Sequence, residues 1–482
     1  MKRWIILGIC ILVYSISSPA SAVGIFHPST MTLTNGLQVV LIQNHLAPVV
    51  SINLIYKVGT ADDPIEMAGL SHFLEHLMFK GTKEIPSDQF RKIITSNGGN
   101  INAFTTPDLT AFTCDIAIEF LDFYLKLEAD RMQNLVMNER ELRDEQKVVQ
   151  EERLMRLDNN PFSVAYEALL RATFWYHPYG IPPIGYPQNI AAYTRDAAYE
   201  HYKKWYAPNN AILVIAGDIT LEKLKPMVEK HFGMIPSHPI PSRVRITEPN
   251  HKGVIITLEQ ENPRVSQVHM QWNYAAPNHR SPHSEHFYPL IILAQVLGGN
   301  DTSRLHRTLV DEQKIAVSAS CSYDDDGYDP EKFSFSATLA PDASLIALKV
   351  AIQKHIQEVI EKGITQKELA DAKRDLLADL AFARDGNNSS VMAFTRLAVG
   401  FTVEQIEDWP NRIHAVTVNQ VQEAAQFVLS QNPVAINTIY PEGYKEKQKQ
   451  VEAECTLQNK HIDPKEVNKP VSLEKANETE NS

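Results

Sequence analysis

The chain has 482 residues, 44% of them hydrophobic and 22% charged, which excludes a mainly disordered, collagenous or multi-span membrane protein. Its 46 basic residues against 58 acidic ones leave a net charge of −12, the opposite of the basic excess that a nucleic-acid binder carries. Four cysteines are too few for a disulfide scaffold, and the length predicts two large domains or three smaller ones.

Lys2 and Arg3 precede an apolar run from Trp4 to Tyr14, and small residues follow to Ala20-Ser21-Ala22. A basic start, a short apolar middle and an A-x-A end make residues 1–22 a secretory signal peptide, cleaved after Ala22. The expectation is an exported protein, most simply in a bacterial periplasm, with no stable membrane span after cleavage. Removal of Cys10 leaves Cys114, Cys321 and Cys455, an odd number, and Cys114 reads as a buried thiol.

In chain order, Met31–Thr34, Asn35-Gly36 and Leu37–Leu41 read as a hairpin with a type I′ turn. Val49–Val58 reads as a strand, Gly69–Lys80 as a helix stopped by Gly81, and Ser87–Ser96 as a second helix. Ile101–Phe104 and Thr110–Ile116 are strand-like, Ile118–Asp158 is one long helical region, and Ala211–Ala216 is a buried strand with a helix after Thr220.

Pro236, Pro239 and Pro241 fall within six residues, which suits neither a helix interior nor a central strand, so residues 236–252 read as a linker. The pattern then restarts. Gly253–Leu258 and Val265–Asn273 are strand-like, Glu285–Leu297 is an apolar helix, and Phe333–Leu339 is a strand. Ala343–Lys362 and Lys367–Ala383 are helices, the second begun by a Thr365-x-x-Glu368 capping box. Residues 23–235 and 253–442 thus form two halves with a matching order of elements, a divergent duplication of α+β class. Residues 443–482 lose apolar periodicity and read as a disordered tail.

The chemistry-bearing residues lie in the first half. Within Gly69–Lys80, His72 and His76 are four apart and share one helix face, with Glu75 beside them. Two imidazoles and a carboxylate suit a hydrolytic zinc site, and H-x-x-E-H is the inverted-zincin motif. A third ligand must come from elsewhere. Glu145 and Glu152 are seven apart, two helical turns, on a face that also carries Val148 and Val149, and Glu151 is adjacent. The same stretch also reads as a solvated charged helix, as Glu141, Arg143 and Asp144 suggest.

These residues resemble the pitrilysin family of zinc metallopeptidases, which includes mitochondrial processing peptidase and insulin-degrading enzyme. The family follows H-x-x-E-H with a glutamate about 75 residues on, and here 75 residues separate His76 from Glu152. The resemblance implies one Zn²⁺ per chain on His72, His76 and Glu152, with Glu75 as general base. It implies that Glu145 supports the site and places Glu152 ahead of Glu151. Gly98–Thr105 resembles the family's edge strand, so Gly99, Asn100, Asn102, Ala103 and Phe104 would bind the substrate backbone. His177-Pro178-Tyr179-Gly180 and Tyr206–Asn210 resemble further landmarks. The resemblance spans residues 28–440 and implies half of a clamshell enclosing a chamber for unfolded peptides.

The second half lacks the motif: His283-Ser284-Glu285-His286 is one residue short and reads as a polar helix start. Self-sufficient members of the family supply an Arg and a Tyr after a stretch like Ser303-Arg304-Leu305. Asp311 and Val317 stand at those positions here, and the spacing of Arg307 and Tyr323 does not suit them as replacements. The expectation is a zinc endopeptidase paired, as a homo- or heterodimer, with a pitrilysin-like subunit that lacks the metal motif. The rival expectation is a non-catalytic binding or assembly subunit.

Overall fold

A computed structural model describes residues 24–87, 89–249 and 253–447. The expected signal peptide, Cys10, Cys455 and the stretch beyond residue 447 lie outside the described residues.

The first half runs β1 (Ser29–Thr32), β2 (Gln38–Gln43), β3 (Val49–Tyr56), α1 (Leu70–Leu77), α2 (Gln89–Ser96), β4 (Asn100–Thr105) and β5 (Thr110–Ala117). It continues with α3 (Leu121–Asn134), α4 (Glu139–Arg153), α5 (Pro161–Thr173), α6 (Pro187–Ala192), α7 (Arg195–Trp205), β6 (Ala211–Gly217) and α8 (Leu221–Phe232). The second half holds β7 (Ile256–Asn262), β8 (His269–Ala276), α9 (Phe287–Gly298), β9 (Ala316–Tyr323), β10 (Glu331–Leu339) and α10 (Leu345–Lys362). It ends with α11 (Gln366–Asp385), α12 (Asn387–Ala393), α13 (Val403–Glu407), α14 (Trp409–Ala415), α15 (Val418–Leu429) and β11 (Ala435–Pro441).

The sheets are ordered β1-β2-β6-β3-β5-β4 and β7-β11-β8-β10-β9. Apart from β1 they are the same sheet twice. The last strand of each half inserts parallel to the first, β6 beside β2 and β11 beside β7, and every other pairing is antiparallel. The fold is α+β, with two antiparallel-rich sheets and packed helices. β6 is buried along its whole length, as a strand covered on both faces must be. β4 and β9 are the corresponding edges.

Several local expectations change. Asn35-Gly36 is not a two-residue type I′ turn: β1 and β2 begin pairing at Thr32 and Gln38, and only Gly36 takes a positive φ, 89°. The buried Asn35 amide instead donates to the carbonyls of Phe232 and Ile235, at 2.7 and 2.9 Å, tying the loop to the end of α8. The region 118–158 is helical as expected but broken once, between α3 and α4. Leu135 is extended and bridges Thr82, and Asn138 caps a fresh start at α4 by accepting from the Glu141 N–H at 2.8 Å. Strands β9 and β11 and helices α5 to α7 were not among the expected elements.

The halves exchange cover. Leu169 and Ala172 of α5 pack on Ala435 of the second sheet, and Asn437 donates to the Ala165 carbonyl at 3.2 Å. Reciprocally, Val391 of α12 joins a core with Val40, Ile55 and Val214 of the first sheet, while Asn44 donates to Asn387 at 2.7 Å.

The stretch 236–249 has no helix or strand, yet it is pinned. Arg245 reaches Asp62 at 3.0 Å, Asp108, and Asp329 of the second half at 3.1 Å. Arg243 donates to the Asp108 carbonyl at 2.6 Å. The landmark His177–Gly180 belongs to the same seam: His177 Nε2 lies 3.1 Å from Asp329, and the Tyr179 hydroxyl donates to Asp108 at 2.6 Å.

Candidate metal centre

Helix α1 starts at a point where only glycine fits. Gly69 has φ 91°, and a Cβ there would sit 2.7 Å from the backbone of Ile184 and Gly185. The Asp63 carboxylate accepts from the Gly69 and Ser71 N–H groups at 2.9 and 3.1 Å, satisfying donors that a helix start leaves open. Leu70, Phe73, Leu74 and Leu77 are buried, so the opposite face presents His72, Glu75 and His76. Helix α4 crosses this face and brings Glu145 and Glu152, two turns apart on one side.

His76 Nε2 lies 3.2 Å and His72 Nε2 3.7 Å from the same atom, Glu152 Oε2. His72, His76 and Glu152 each offer one ligand atom within 4.8 Å of the others, the one group of this kind among the described residues. Glu152 Oε2 is buried and has no well-formed hydrogen bond despite its near neighbours. Three Lewis-base atoms converging on one point, one of them an orphaned carboxylate oxygen, fit a divalent cation with N/O ligands. Glu151 is exposed and stands outside the group.

His76 Nδ1 pairs with Glu145 Oε1 at 2.9 Å, and Lys80 Nζ lies 2.7 Å from Glu145 Oε2. Arg156 NH1 lies 2.6 Å from Glu152 Oε1. The Thr105 hydroxyl, on β4, donates to Glu75 Oε2 at 2.6 Å. Burial pushes the Glu75 carboxyl up from its ordinary range, against the Thr105 bond. Burial, and then the neighbouring His76, hold the His72 imidazole down at about 4. For His76 burial works in the same direction, but the Glu145 and Glu152 carboxylates outweigh it and raise it to about 9. Glu145 and Glu152 lie below the usual carboxylate range because their cationic and imidazole partners outweigh burial.

The group opens into a cavity of about 940 Å³, walled by α1, α4, α5 and the edge strand β4. Asn102, Ala103 and Phe104 line it, whereas Gly99 and Asn100 stand beyond its lining at the far end of the strand. Val148 and Tyr166 supply apolar wall.

Among the described residues the second half adds no comparable group. Asp311 lies on a π-helical segment, His306–Glu312, and Val317 is the second residue of β9, and neither lines the cavity. Arg307 faces Glu312 at 3.7 Å, and the Tyr323 hydroxyl is bonded to the Pro277 carbonyl. His283–His286 forms a polar turn ahead of α9, with His283 3.4 Å from Glu285.

Sequence reasoning missed Lys80, Thr105 and Arg156. Lys80 follows His76, and Arg156 follows Glu152, by four residues, so helical spacing was a usable signal for both. Thr105 reaches Glu75 from β4, and the packing of the halves brings Arg243 and Arg245 to Asp62 and Asp108; neither placement has a local signature.

Comparison with known proteins agrees with this arrangement. The profile described as insulinase (peptidase family M16) matches residues 38–185, and that described as peptidase M16 inactive domain matches residues 192–376. The zinc protease PqqE of Helicobacter pylori is 29% identical over 402 residues, covering 82% of this chain and 89% of that protein. An uncharacterized zinc protease of Bacillus subtilis, YmxG, is 27% identical over 417 residues, covering 86% of this chain and 98% of its own. Among solved structures, a protease from Helicobacter pylori superposes with a TM-score of 0.78 at 27% identity, covering 86% of this chain and 99% of that one. Pitrilysin shares the fold, with a TM-score of 0.70 at 20% identity over 86% of this chain and 44% of its own. Relatives named as zinc proteases support a peptidase-like function. The chain belongs to the pitrilysin family, the M16 (insulinase) peptidases.

Proposed function

We propose that the chain is a zinc-dependent endopeptidase acting on peptides or unfolded segments. The observation that carries this reading is the buried, unsatisfied Glu152 Oε2 between the Nε2 atoms of His72 and His76. Those three residues would hold one Zn²⁺, which when bound supplies Lewis acidity and makes water a nucleophile near neutral pH. Glu75 takes the proton of the attacking water and returns it to the leaving amine, a role its raised pKa suits. Thr105 fixes the Glu75 carboxylate, and Glu145 fixes the His76 ring. The free edge of β4 takes the peptide as an added strand, with Asn102, Ala103 and Phe104 beside the scissile bond. Residues 1–22 direct export, most simply to a bacterial periplasm.

Asp311 and Val317, and the absence of Arg307 and Tyr323 from the cavity lining, support the need for a pitrilysin-like partner subunit without the metal motif. A non-catalytic assembly role draws instead on the match of residues 192–376 to the inactive-domain profile.

The test is peptide cleavage by the mature protein and its Glu75→Gln variant, each with zinc counted, alone and mixed with an M16 subunit lacking the motif. A single zinc in both and cleavage by wild type only supports the enzyme. No zinc in either sinks the metal site, and zinc without cleavage in any mixture leaves the assembly role. Cleavage by wild type alone removes the need for a partner.

A further inference from the structure

We propose that Lys80 is a positioning residue for the metal centre, acting through Glu145 on His76. The inference rests on the reading that His72, His76 and Glu152 hold zinc.

A histidine ligand must keep one ring nitrogen toward the ion, and a rotation about its Cβ–Cγ bond exchanges that nitrogen for carbon. A partner behind the ring decides the orientation. The two histidines differ here. His72 Nδ1 is buried with no hydrogen-bond partner, whereas His76 Nδ1 is held by Glu145 Oε1 at 2.9 Å. Among the described residues, the rear support of the imidazole pair therefore passes through one carboxylate. That carboxylate is held in turn: Lys80 Nζ lies 2.7 Å from Glu145 Oε2, so each oxygen has a separate duty.

Burial makes the lysine hard to replace. The Glu145 side chain is 7% exposed, so water has little access to the oxygen that Lys80 covers. Removing one member of a buried ion pair leaves the other uncompensated, and the carboxylate would then reorient or swing toward solvent. The local backbone delivers Lys80 to this place. Its N–H bonds the Leu77 carbonyl at 2.9 Å in the turn after α1, and the chain leaves through Gly81 at φ 127°. A Cβ at residue 81 would lie 2.7 Å from the Ile85 carbonyl oxygen.

Arg156 is the built-in contrast. It too lies close to a carboxylate of the site, 2.6 Å from Glu152 Oε1, but its side chain is 75% exposed and solvent can take its place.

The test is competition of zinc between a chromophoric chelator and the mature protein, comparing wild type with Lys80→Met, Lys80→Gln, Lys80→Arg and Arg156→Met. Lys80→Met is expected to weaken zinc binding roughly 10–100-fold. Arg156→Met is expected to change it by less than about fivefold. Lys80→Gln, which keeps a donor without the charge, should fall between wild type and Lys80→Met, and it carries the comparison if Lys80→Met does not fold. Lys80→Arg should stay near wild type. The visible spectrum of the cobalt-loaded protein should change in Lys80→Met, reporting a displaced ligand, a readout that a loss of stability alone would not move. A Lys80 variant that binds zinc as tightly as wild type, or loses no more than Arg156→Met, overturns the proposal. Failure of wild type to bind zinc overturns the reading beneath it, so the two failures are distinguishable.

Discussion

The connection that leaves β3 and the one that leaves β8 occupy matching places in two matching sheets, and their helices are built from opposite residues. In α1, apolar side chains cover one face and His72, Glu75 and His76 occupy the other. In α9, ten of twelve residues are buried and the run Phe287-Tyr288-Pro289-Leu290-Ile291-Ile292-Leu293 leaves no polar face. A helix that is apolar all round can only be core, whereas an amphipathic one can carry chemistry on its open side. The surroundings diverge in step. α1 faces a helix bearing two glutamates and an edge strand bearing Thr105, and α9 is enclosed with Leu348, Val421 and Ala425. Duplication of a sheet thus preserves a scaffold without preserving a site.

The largest expected effect breaks this contrast by erasing the chemistry of α1. Glu75→Gln should lower peptide turnover by at least about 10²-fold, the scale of a lost general base, with zinc content unchanged. His76→Ala should lose zinc and turnover together, as metal analysis beside a cleavage assay would show. Equal activity of Glu75→Gln and wild type would remove Glu75 from the reaction.

A smaller effect tests how the halves are joined. Arg245 is 5% exposed and serves Asp62, Asp108 and Asp329 together, across both halves. Arg245→Met leaves Asp108 buried without its cation and Asp62 with Arg243 alone, so denaturant unfolding should show a loss of about 3–5 kcal/mol. If the halves are coupled mainly through this seam, the variant should also unfold in two steps where wild type unfolds in one. A loss below about 1 kcal/mol would mean that the exchanged helices α5 and α12 carry the coupling alone.

The smallest effect belongs to the second half. Burial, with the nearby Arg280 and Arg396 cations, holds His279 down at about 4, and its ring stacks on Phe401 at 3.7 Å. The unfolded chain then binds a proton that the folded chain refuses between about pH 6.5 and 4, so this residue's contribution falls as the pH drops through that window. His279→Phe should flatten the stability–pH curve there and leave it unchanged near pH 8. An unaltered slope in His279→Phe would assign the acid response to other groups.

Local spacing made much of this molecule legible. His72, Glu75 and His76 share a face by helical geometry alone, and the break at Pro236–Pro241 and the restart after it follow from proline chemistry. The strand of residues 211–216 was readable because a strand buried on both faces is an unbroken apolar run. Elements without such a mark were not. β9 is built largely from small residues, Ala316–Tyr323. β11 returns from the far end of its half to lie between β7 and β8, a pairing of residues about 180 positions apart that no local period records.

The sequence by itself determined the two-half plan, the face of α1 that carries His72, Glu75 and His76, and the candidate third ligand, because periodicity and short-range sterics act within a few residues. Only the tertiary structure decided the rest. The bond from Thr105 to Glu75, the support of His76 through Glu145 and Lys80, and the pinning of the linker by Arg243 and Arg245 join residues from separate elements. The reciprocal covering of each sheet by a helix of the other half is of the same kind. Such contacts form because packing removes apolar faces from water and then requires partners for most polar groups caught at the seam. That requirement is met by whichever side chains the fold brings together, at sequence distances that composition and spacing do not encode.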